Sequence, residues 1–327
     1  ENPRKISFIK IAGNVDISVK DNYLYADSIT DLMVFDISDI NNIQIVKRLD
    51  NVLRDNVIWP AEADFFEYGD WNYETDILVG WEVVTERRLI SDYETRWGQM
   101  DILFAEANDA GNVGQGGSLA RFKIVGVYLY AVDSHNINVF DIRDLDNPAD
   151  LDDVYAGFDI ETIFYYGEYL FLGSMRGMYI YNITVPSSPE FVSEFQHGTA
   201  CDPVVVDGDY AYVTLRGGNN CGATESGLFI VDISNISNPE LAVSYPMDEP
   251  YGLGVRNEKL FVCDGSSGLK VYDKTDINSL QLLDHFQDVV TFDVIPMQNQ
   301  LLMVGDDVLY QYRYNQDGIS LLSSLSL

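Results

Sequence analysis

The sequence predicts an all-β chain built from repeated four-stranded units, and three observations carry that expectation. Copies of one cassette can be aligned on an apolar pair at Tyr23, Tyr128, Tyr169, Tyr210, Lys259 and Gln300. The steps between them are 105, 41, 41, 49 and 41 residues, a period that breaks only by addition, which marks a repeat array. Tyr (21) and Phe (16) are abundant beside Val and Ile, residue types that favour pleated, half-buried surfaces. Gly, Asn, Asp and Pro punctuate the apolar runs at fixed offsets. Four short antiparallel strands cannot bury both faces alone, but units stacked radially around an axis can. Six copies therefore read as a six-bladed β-propeller in a single domain, 1–327. The alternative is seven blades, if the long interruption supplies a further set of strands.

Within each copy, strand a is the apolar run before the anchor, such as Pro203-Val204-Val205-Val206. Strand b is the anchor itself, as in Tyr23-Leu24-Tyr25-Ala26 and Tyr169-Leu170-Phe171-Leu172. Strand c carries Met33-Val34-Phe35-Asp36, Val139-Phe140-Asp141, Tyr179-Ile180-Tyr181-Asn182, Ile230-Val231-Asp232 and Val271-Tyr272-Asp273. Strand d is shorter and more polar, as in Phe191 to Phe195. A Gly-Asp, Gly-Glu or Asp-Asn pair before strand b suits a hairpin turn that needs positive φ. After strand c, Asp36-Ile37-Ser38 and Asp232-Ile233-Ser234 offer side-chain oxygens to free backbone N–H groups. Pro148, Pro189 and Pro239 fall in the c–d connection, where no ladder donor is needed. The N-terminal Ile6-Ser7-Phe8-Ile9 reads as an extra strand d that closes the ring beside the last blade.

With the run Leu228-Phe229-Ile230-Val231-Asp232-Ile233 as its signature strand, the cassette resembles the LVIVD-repeat β-propellers of bacterial cell-envelope proteins. The resemblance covers nearly the whole chain outside 53–117. It departs at Asn182 in the third copy and at Arg313 in the last, each standing where the others have the strand-c Asp. It implies the fold and an exported setting, in the periplasm or on the outer cell surface, and no established chemistry. A chain that starts at Glu1 without Met suggests a processed export product, with a lipid anchor possible upstream of that residue.

The first long step hides an insertion at 53–117, expected to be a hairpin followed by a Gly-rich return. All four tryptophans, Trp59, Trp71, Trp81 and Trp97, lie inside it. They either pack the insertion onto the propeller or form an aromatic contact surface for a partner. The return, Gly111 to Ser118, has no Gly-Lys-Ser/Thr and is no phosphate-binding loop. Its Gly116 and Gly117 either let a ligand approach the backbone or serve as turn residues. The smaller addition lengthens the b–c loop of the fourth copy, Arg216 to Gly222. In a propeller the b–c loops and d–a connections share one face. Cys201 and Cys221 therefore fall at one end of one blade, within reach of a disulfide, while Cys263 reads as a buried free thiol.

The net charge is −32, from 52 acidic and 20 basic residues. That field repels phosphate backbones and anionic lipid, so nucleic-acid binding is excluded as the main role. No apolar run approaches the roughly 20 residues of a membrane span. His135, His197 and His285 share no metal-ligand spacing, no nucleophile elbow occurs, and no cofactor motif is present, so no catalytic residue or metal site is assigned. Asp27 to Asp31 and Asp264-Gly265-Ser266 are better turns than Ca²⁺ loops, and the sequons at Asn182 and Asn235 coincide with c–d turns. Arg121, Arg176 and Arg216 are scarce cations in strand a or b–c loops of three consecutive copies. With Gly116, Gly117 and Asp202 they outline a candidate anion or carboxylate site on the loop-rich face. Two readings follow: a non-catalytic envelope propeller that binds a protein or glycan through that face and the Trp-rich insertion, or a hydrolase or lyase acting on an anionic saccharide there.

Overall fold

The computed structural model describes residues 3–53, 118–158, 160–174, 176–196, 203–216, 226–315 and 318–327, with eight scattered positions between 54 and 117. Two compact units are distinguished: Glu1–Asn56 with Asn112–Leu327, and Val57–Gly111. In the second, Asp76 N donates to Asn72 O at 2.8 Å and Asn72 N donates to the Asp76 carboxylate at 3.0 Å.

Every regular element among the described residues of the first unit is a strand, and the strands form six antiparallel sheets. Blade 1 holds β1 (Ile17–Lys20), β2 (Tyr23–Ser28), β3 (Asp31–Asp36) and β4 (Gln44–Leu49). Blade 2 holds β5 (Phe122–Val125), β6 (Tyr128–Val132), β7 (Asn136–Asp141) and an outer strand in two pieces, β8 (Ala149–Asp150) and β9 (Val154–Tyr155). Blade 3 holds β10 (Ile160–Tyr166), β11 (Tyr169–Ser174), β12 (Gly177–Asn182) and β13 (Glu190–Gln196). Blade 4 holds β14 (Val204–Asp207), β15 (Tyr210–Leu215), β16 (Gly227–Asp232) and β17 (Glu240–Pro246). Blade 5 holds β18 (Leu253–Arg256), β19 (Lys259–Cys263), β20 (Leu269–Asp273) and β21 (Gln281–Phe286). Blade 6 holds β22 (Thr291–Pro296), β23 (Gln300–Gly305), β24 (Val308–Tyr314) and β25 (Ile319–Ser326). The described residues form an all-β propeller of six blades.

The turn chemistry explains the repeat. The first residue of five a–b turns has positive φ: Asp21 and Asn257, whose short polar side chains tolerate it, and Gly126, Gly167 and Gly208. The second turn residue then receives a distant donor. The residue after the strand-c Asp gives its N–H to that carbonyl in every blade: Ile37 to Asn22, Ile142 to Val127, Ile183 to Glu168, Ile233 to Asp209, Lys274 to Glu258 and Tyr314 to Asn299, at 2.8–3.1 Å. The Asp itself caps the next turn. Asp36, Asp232 and Asp273 accept from Ser38, Ser234 and Thr275 N–H at 2.8 Å, and Asn182 does the same for Thr184 at 2.8 Å. The Ser38, Ser234 and Thr275 hydroxyls, and after them these N–H groups, hold the Asp36, Asp232 and Asp273 carboxyls below their ordinary pKa.

Neighbouring blades share apolar cores. Tyr25 and Val34 meet Leu129 and Phe140, Tyr130 and Val139 meet Leu170 and Leu172, Phe171 and Ile180 meet Ala211 and Val231, Tyr212 and Ile230 meet Leu260 and Val262, and Phe261 and Val271 meet Leu301 and Tyr312. One contact recurs. The residue after the strand-c Asp packs toward the third residue of the preceding blade's strand b, as Ile142 does with Tyr25, Ile183 with Tyr130 and Ile233 with Phe171. In blade 6 it is Tyr314, whose ring lies 5.1 Å from that of Phe261.

The N-terminal segment departs from expectation. Residues 6–9 form no strand, and Ile6 and Phe8 are exposed. Blade 6 is completed by its own β25, so its edge offers no ladder to an N-terminal strand. Ile9 and Ile11 instead pack on Leu24, Ala26, Met33 and Phe35 of blade 1.

Candidate functional site: the face of the b–c loops and d–a connections

Each blade runs up and down through four antiparallel strands, so its b–c loop and its d–a connection lie at the same end. Arg121, just before β5, Arg176, between β11 and β12, and Arg216, just after β15, all sit at that end of blades 2, 3 and 4. Gly116, Gly117, Asp202, Cys201, Cys221 and the four tryptophans Trp59, Trp71, Trp81 and Trp97 lie outside the described residues. Cys263, in β19, is buried and free, as expected.

The Arg176 and Arg216 guanidinium groups rest on aromatic rings. Arg176 lies 5.1 Å from the centroid of Phe158, which also meets His135 edge-to-face at 5.5 Å and Tyr155 at 6.0 Å. Phe158 and Tyr155 are 49% and 59% exposed, so this cluster presents its rings to solvent. Arg216 lies 4.1 Å from the centroid of Tyr251, which packs edge-to-face on Phe292 at 5.2 Å. The Tyr251 hydroxyl reaches the Glu249 carboxylate at 3.5 Å. Burial raises the Tyr251 pKa, and the nearby Arg216 charge opposes that rise.

Arg121 belongs to a different arrangement. Its N–H and that of Phe122 donate to the Asp16 carboxylate at 2.7 and 2.8 Å. Just before it, Ser118 accepts the Leu253 N–H at 2.8 Å and donates to Asp293 at 3.1 Å, while Ala120 O accepts the Ile163 N–H at 2.8 Å. Residues 118–122 thus bond to blades 1, 3, 5 and 6 before continuing as β5 of blade 2. They form a hub across the innermost strands. Gly252 is needed beside it, because a Cβ there would stand 2.1 Å from the Asp293 carboxylate.

The hub accounts for the two most perturbed carboxyls. Burial pushes Asp16 up to about 6 and Asp293 up to about 7, with backbone donors pulling the other way. Asp27 is likewise consumed, accepting from Val15 and Asp16 N–H at 2.9 and 3.0 Å, and Asp264 takes the Glu249 N–H at 2.7 Å. These buried carboxylates cap backbone of the segments that precede their blades' first strands, 11 to 16 positions earlier, rather than their own turns. Among the described residues, no group of three or more His, Cys, Asp or Glu could hold a metal ion.

Sequence reasoning singled out the arginines and missed their aromatic partners Phe158, Tyr251 and Phe292. A signal was present: each lies in or beside the d–a connection of its copy, where an aromatic has no ladder role.

Comparison with known proteins agrees with this architecture. The LVIVD repeat model matches residues 12–50 and 197–246. No curated protein matches the chain. Among solved structures, BamB from Moraxella catarrhalis is similar over 92% of this chain and 69% of its own, with 9% identity and a TM-score of 0.53. A functionally unknown protein from Desulfotomaculum acetoxidans DSM 771 is similar over 95% and 90%, with 11% identity and a TM-score of 0.56. A chain of the mitotic checkpoint complex is similar over 100% and 85%, with 8% identity and a TM-score of 0.55. At such identities the likeness is one of fold. The chain is a six-bladed β-propeller in which residues 12–50 and 197–246 match the LVIVD repeat.

Proposed function

We propose that this propeller is a non-catalytic binding module of the cell envelope that holds a protein partner on the face of the b–c loops and d–a connections. The carrying observation is the pair of arginine–aromatic assemblies, Arg176 on Phe158 and Arg216 on Tyr251, at one end of the molecule. Tyr and Arg anchors dominate binding energy at protein interfaces, because they combine large apolar area with directed donors. The buried carboxylates beneath that face are occupied by backbone donors, which supports binding over acid–base chemistry. The likeness to LVIVD propellers of the envelope supports a periplasmic or outer-surface setting, tested by fractionating cells that express the natural gene. A Cys201–Cys221 bridge belongs to the same reading: under denaturing, non-reducing conditions one titratable thiol supports it and three reject it.

The interaction test is cross-linking and affinity capture from an envelope extract with the unmodified chain, Phe158→Ala and Arg216→Ala. Specific proteins retained by the unmodified chain and lost with both variants support the reading. An identical capture profile for all three would overturn it.

A further inference from the structure

At the opposite end of the molecule two blades lack the repeat's Ile: Tyr314 fills the position in blade 6 with its ring on Phe261, whereas blade 5 differs in kind. Blades 1 to 4 carry Ile after the strand-c Asp or Asn, at Ile37, Ile142, Ile183 and Ile233, and the last three fill the blade-to-blade cores. Blade 5 carries Lys274 there. Its ammonium is nine-tenths buried, pairs with the Asp207 carboxylate at 2.5 Å and lies 5.7 Å from the Tyr212 ring centroid. Blades 4 and 5 leave a cleft of about 480 Å³ beside it, within the roughly 300–1,000 Å³ of small-molecule sites.

A second departure coincides with the first. Tyr25 and Tyr130, at the place in strand b that Tyr212 occupies, donate their hydroxyls to the next blade's c–d loop, at Leu145 O and Pro186 O. The corresponding carbonyl in blade 5, Ile277 O, is taken by Tyr245 from strand d at 2.6 Å. The Tyr212 ring is buried, but its hydroxyl opens on the cleft and makes no hydrogen bond among the described residues. A hydroxyl released from the inter-blade contact its counterparts make, and facing a cleft, is a directional polar group available to a ligand.

We infer that this cleft binds a neutral saccharide unit. Its floor offers donors, the Lys274 ammonium with two N–H groups beyond the one given to Asp207 and the Tyr212 hydroxyl. Its rim offers acceptors, the carboxylates of Asp209 and Glu258, with Tyr210 as an aromatic wall. Sugar hydroxyls donate and accept at once and match both sets without burying a further charge. The carboxylates of Asp209, Glu258 and Asp276 repel an anion, and the Lys274 ammonium already occupies the place beside Asp207 that a cation would take. This site stands apart from the arginine–aromatic face and does not depend on it.

The test is ligand-observed saturation-transfer NMR with the methyl glycosides of glucose, galactose and mannose and with N-acetylglucosamine, at millimolar concentration. Lys274→Ile restores the residue of blades 1 to 4 and fills the cleft, so it is expected to fold. Tyr212→Phe removes only the free hydroxyl. Transfer to at least one sugar, lost in K274I and weakened about five- to ten-fold in affinity in Y212F, is the expected result. No transfer to any sugar, or transfer unchanged in both variants, overturns the inference. Cleft-dependent binding of putrescine in place of the sugars overturns it equally, by showing a cation site.

Discussion

Ser118 donates its hydroxyl to the Asp293 carboxylate at 3.1 Å, across 175 positions of sequence, while its oxygen accepts the Leu253 N–H at 2.8 Å. A single hydroxyl therefore joins the segment leading into blade 2 to the innermost strands of blades 5 and 6. Ser118→Ala removes both bonds and leaves a buried N–H without its partner. Such losses cost about 1–3 kcal/mol each way of counting, so a destabilisation of about 2 kcal/mol is expected in guanidinium titration. Amide exchange should accelerate at Ala120 to Phe122 in particular. A stability change below about 0.5 kcal/mol, the usual surface value, would show that the hub does not tie the ring together.

Asp293 also sets a pH dependence. Its pKa is raised to about 7 in the folded chain, chiefly by burial, and that of Asp16 to about 6 for the same reason. The folded state keeps these protons when the unfolded chain has released them, so it binds more protons between about pH 4 and 7. Stability from both groups is therefore full below about pH 4 and falls as pH rises, by an amount on the order of 4 kcal/mol for Asp293. The turn-capping Asp36, Asp232 and Asp273, with lowered pKa values, act in the opposite sense and lose their contribution only below about pH 4. Maximum stability is expected at mildly acidic pH. Asp293→Asn, which cannot ionise, should flatten the fall between pH 4 and 7, and equal slopes for the two chains would assign the effect elsewhere.

How much of this was legible in the residues differs by level. The anchors Tyr23, Tyr128, Tyr169, Tyr210, Lys259 and Gln300 are each the first residue of an observed strand b. They are readable because a turn residue with positive φ precedes a run that must alternate on a pleat. The c–d bulges are not readable. They fall between Val34 and Phe35, Ile180 and Tyr181, Ile230 and Val231, Val271 and Tyr272, and Gln311 and Tyr312, and they arise from pairing register rather than from composition. They bend the outer strand and discourage edge-to-edge pairing. Ile6 to Ile9 misled for a related reason: an apolar alternating run has strand character, but a strand needs a free edge, and β25 already occupies it.

The candidate site was legible in part. Scarcity of cations in an acidic chain drew attention to Arg121, Arg176 and Arg216, and spacing placed them at one end of their blades. Spacing could not separate their roles. Arg176 and Arg216 stack on rings contributed by residues 18 and 35 positions away in sequence, whereas the Arg121 backbone serves the hub through Asp16. Lys274 was not singled out, because its meaning depends on Asp207 and Tyr212, which belong to the neighbouring blade.

The tyrosines of strand b supply a test in which one blade interface serves as the control for two others. Tyr25 and Tyr130 donate to Leu145 O and Pro186 O at 2.8 and 2.7 Å, each fastening its blade to the next. Tyr25→Phe and Tyr130→Phe keep ring packing and leave a carbonyl without its donor, so each should cost about 1 kcal/mol. Tyr212 is as deeply buried and as well packed by Leu228, Ile230 and Leu260, but its hydroxyl has no acceptor in the chain among the described residues. Tyr212→Phe should therefore leave stability within about 0.5 kcal/mol of the unmodified chain. Burial raises the pKa of Tyr212 and of Tyr130 alike, so desolvation alone predicts equal outcomes for the two substitutions. Unequal denaturation midpoints, with Y212F near the unmodified chain and Y25F and Y130F below it, are expected from the hydrogen bonds. Equal losses at all three positions would mean that the interface depends on ring burial and that these hydroxyl contacts add nothing.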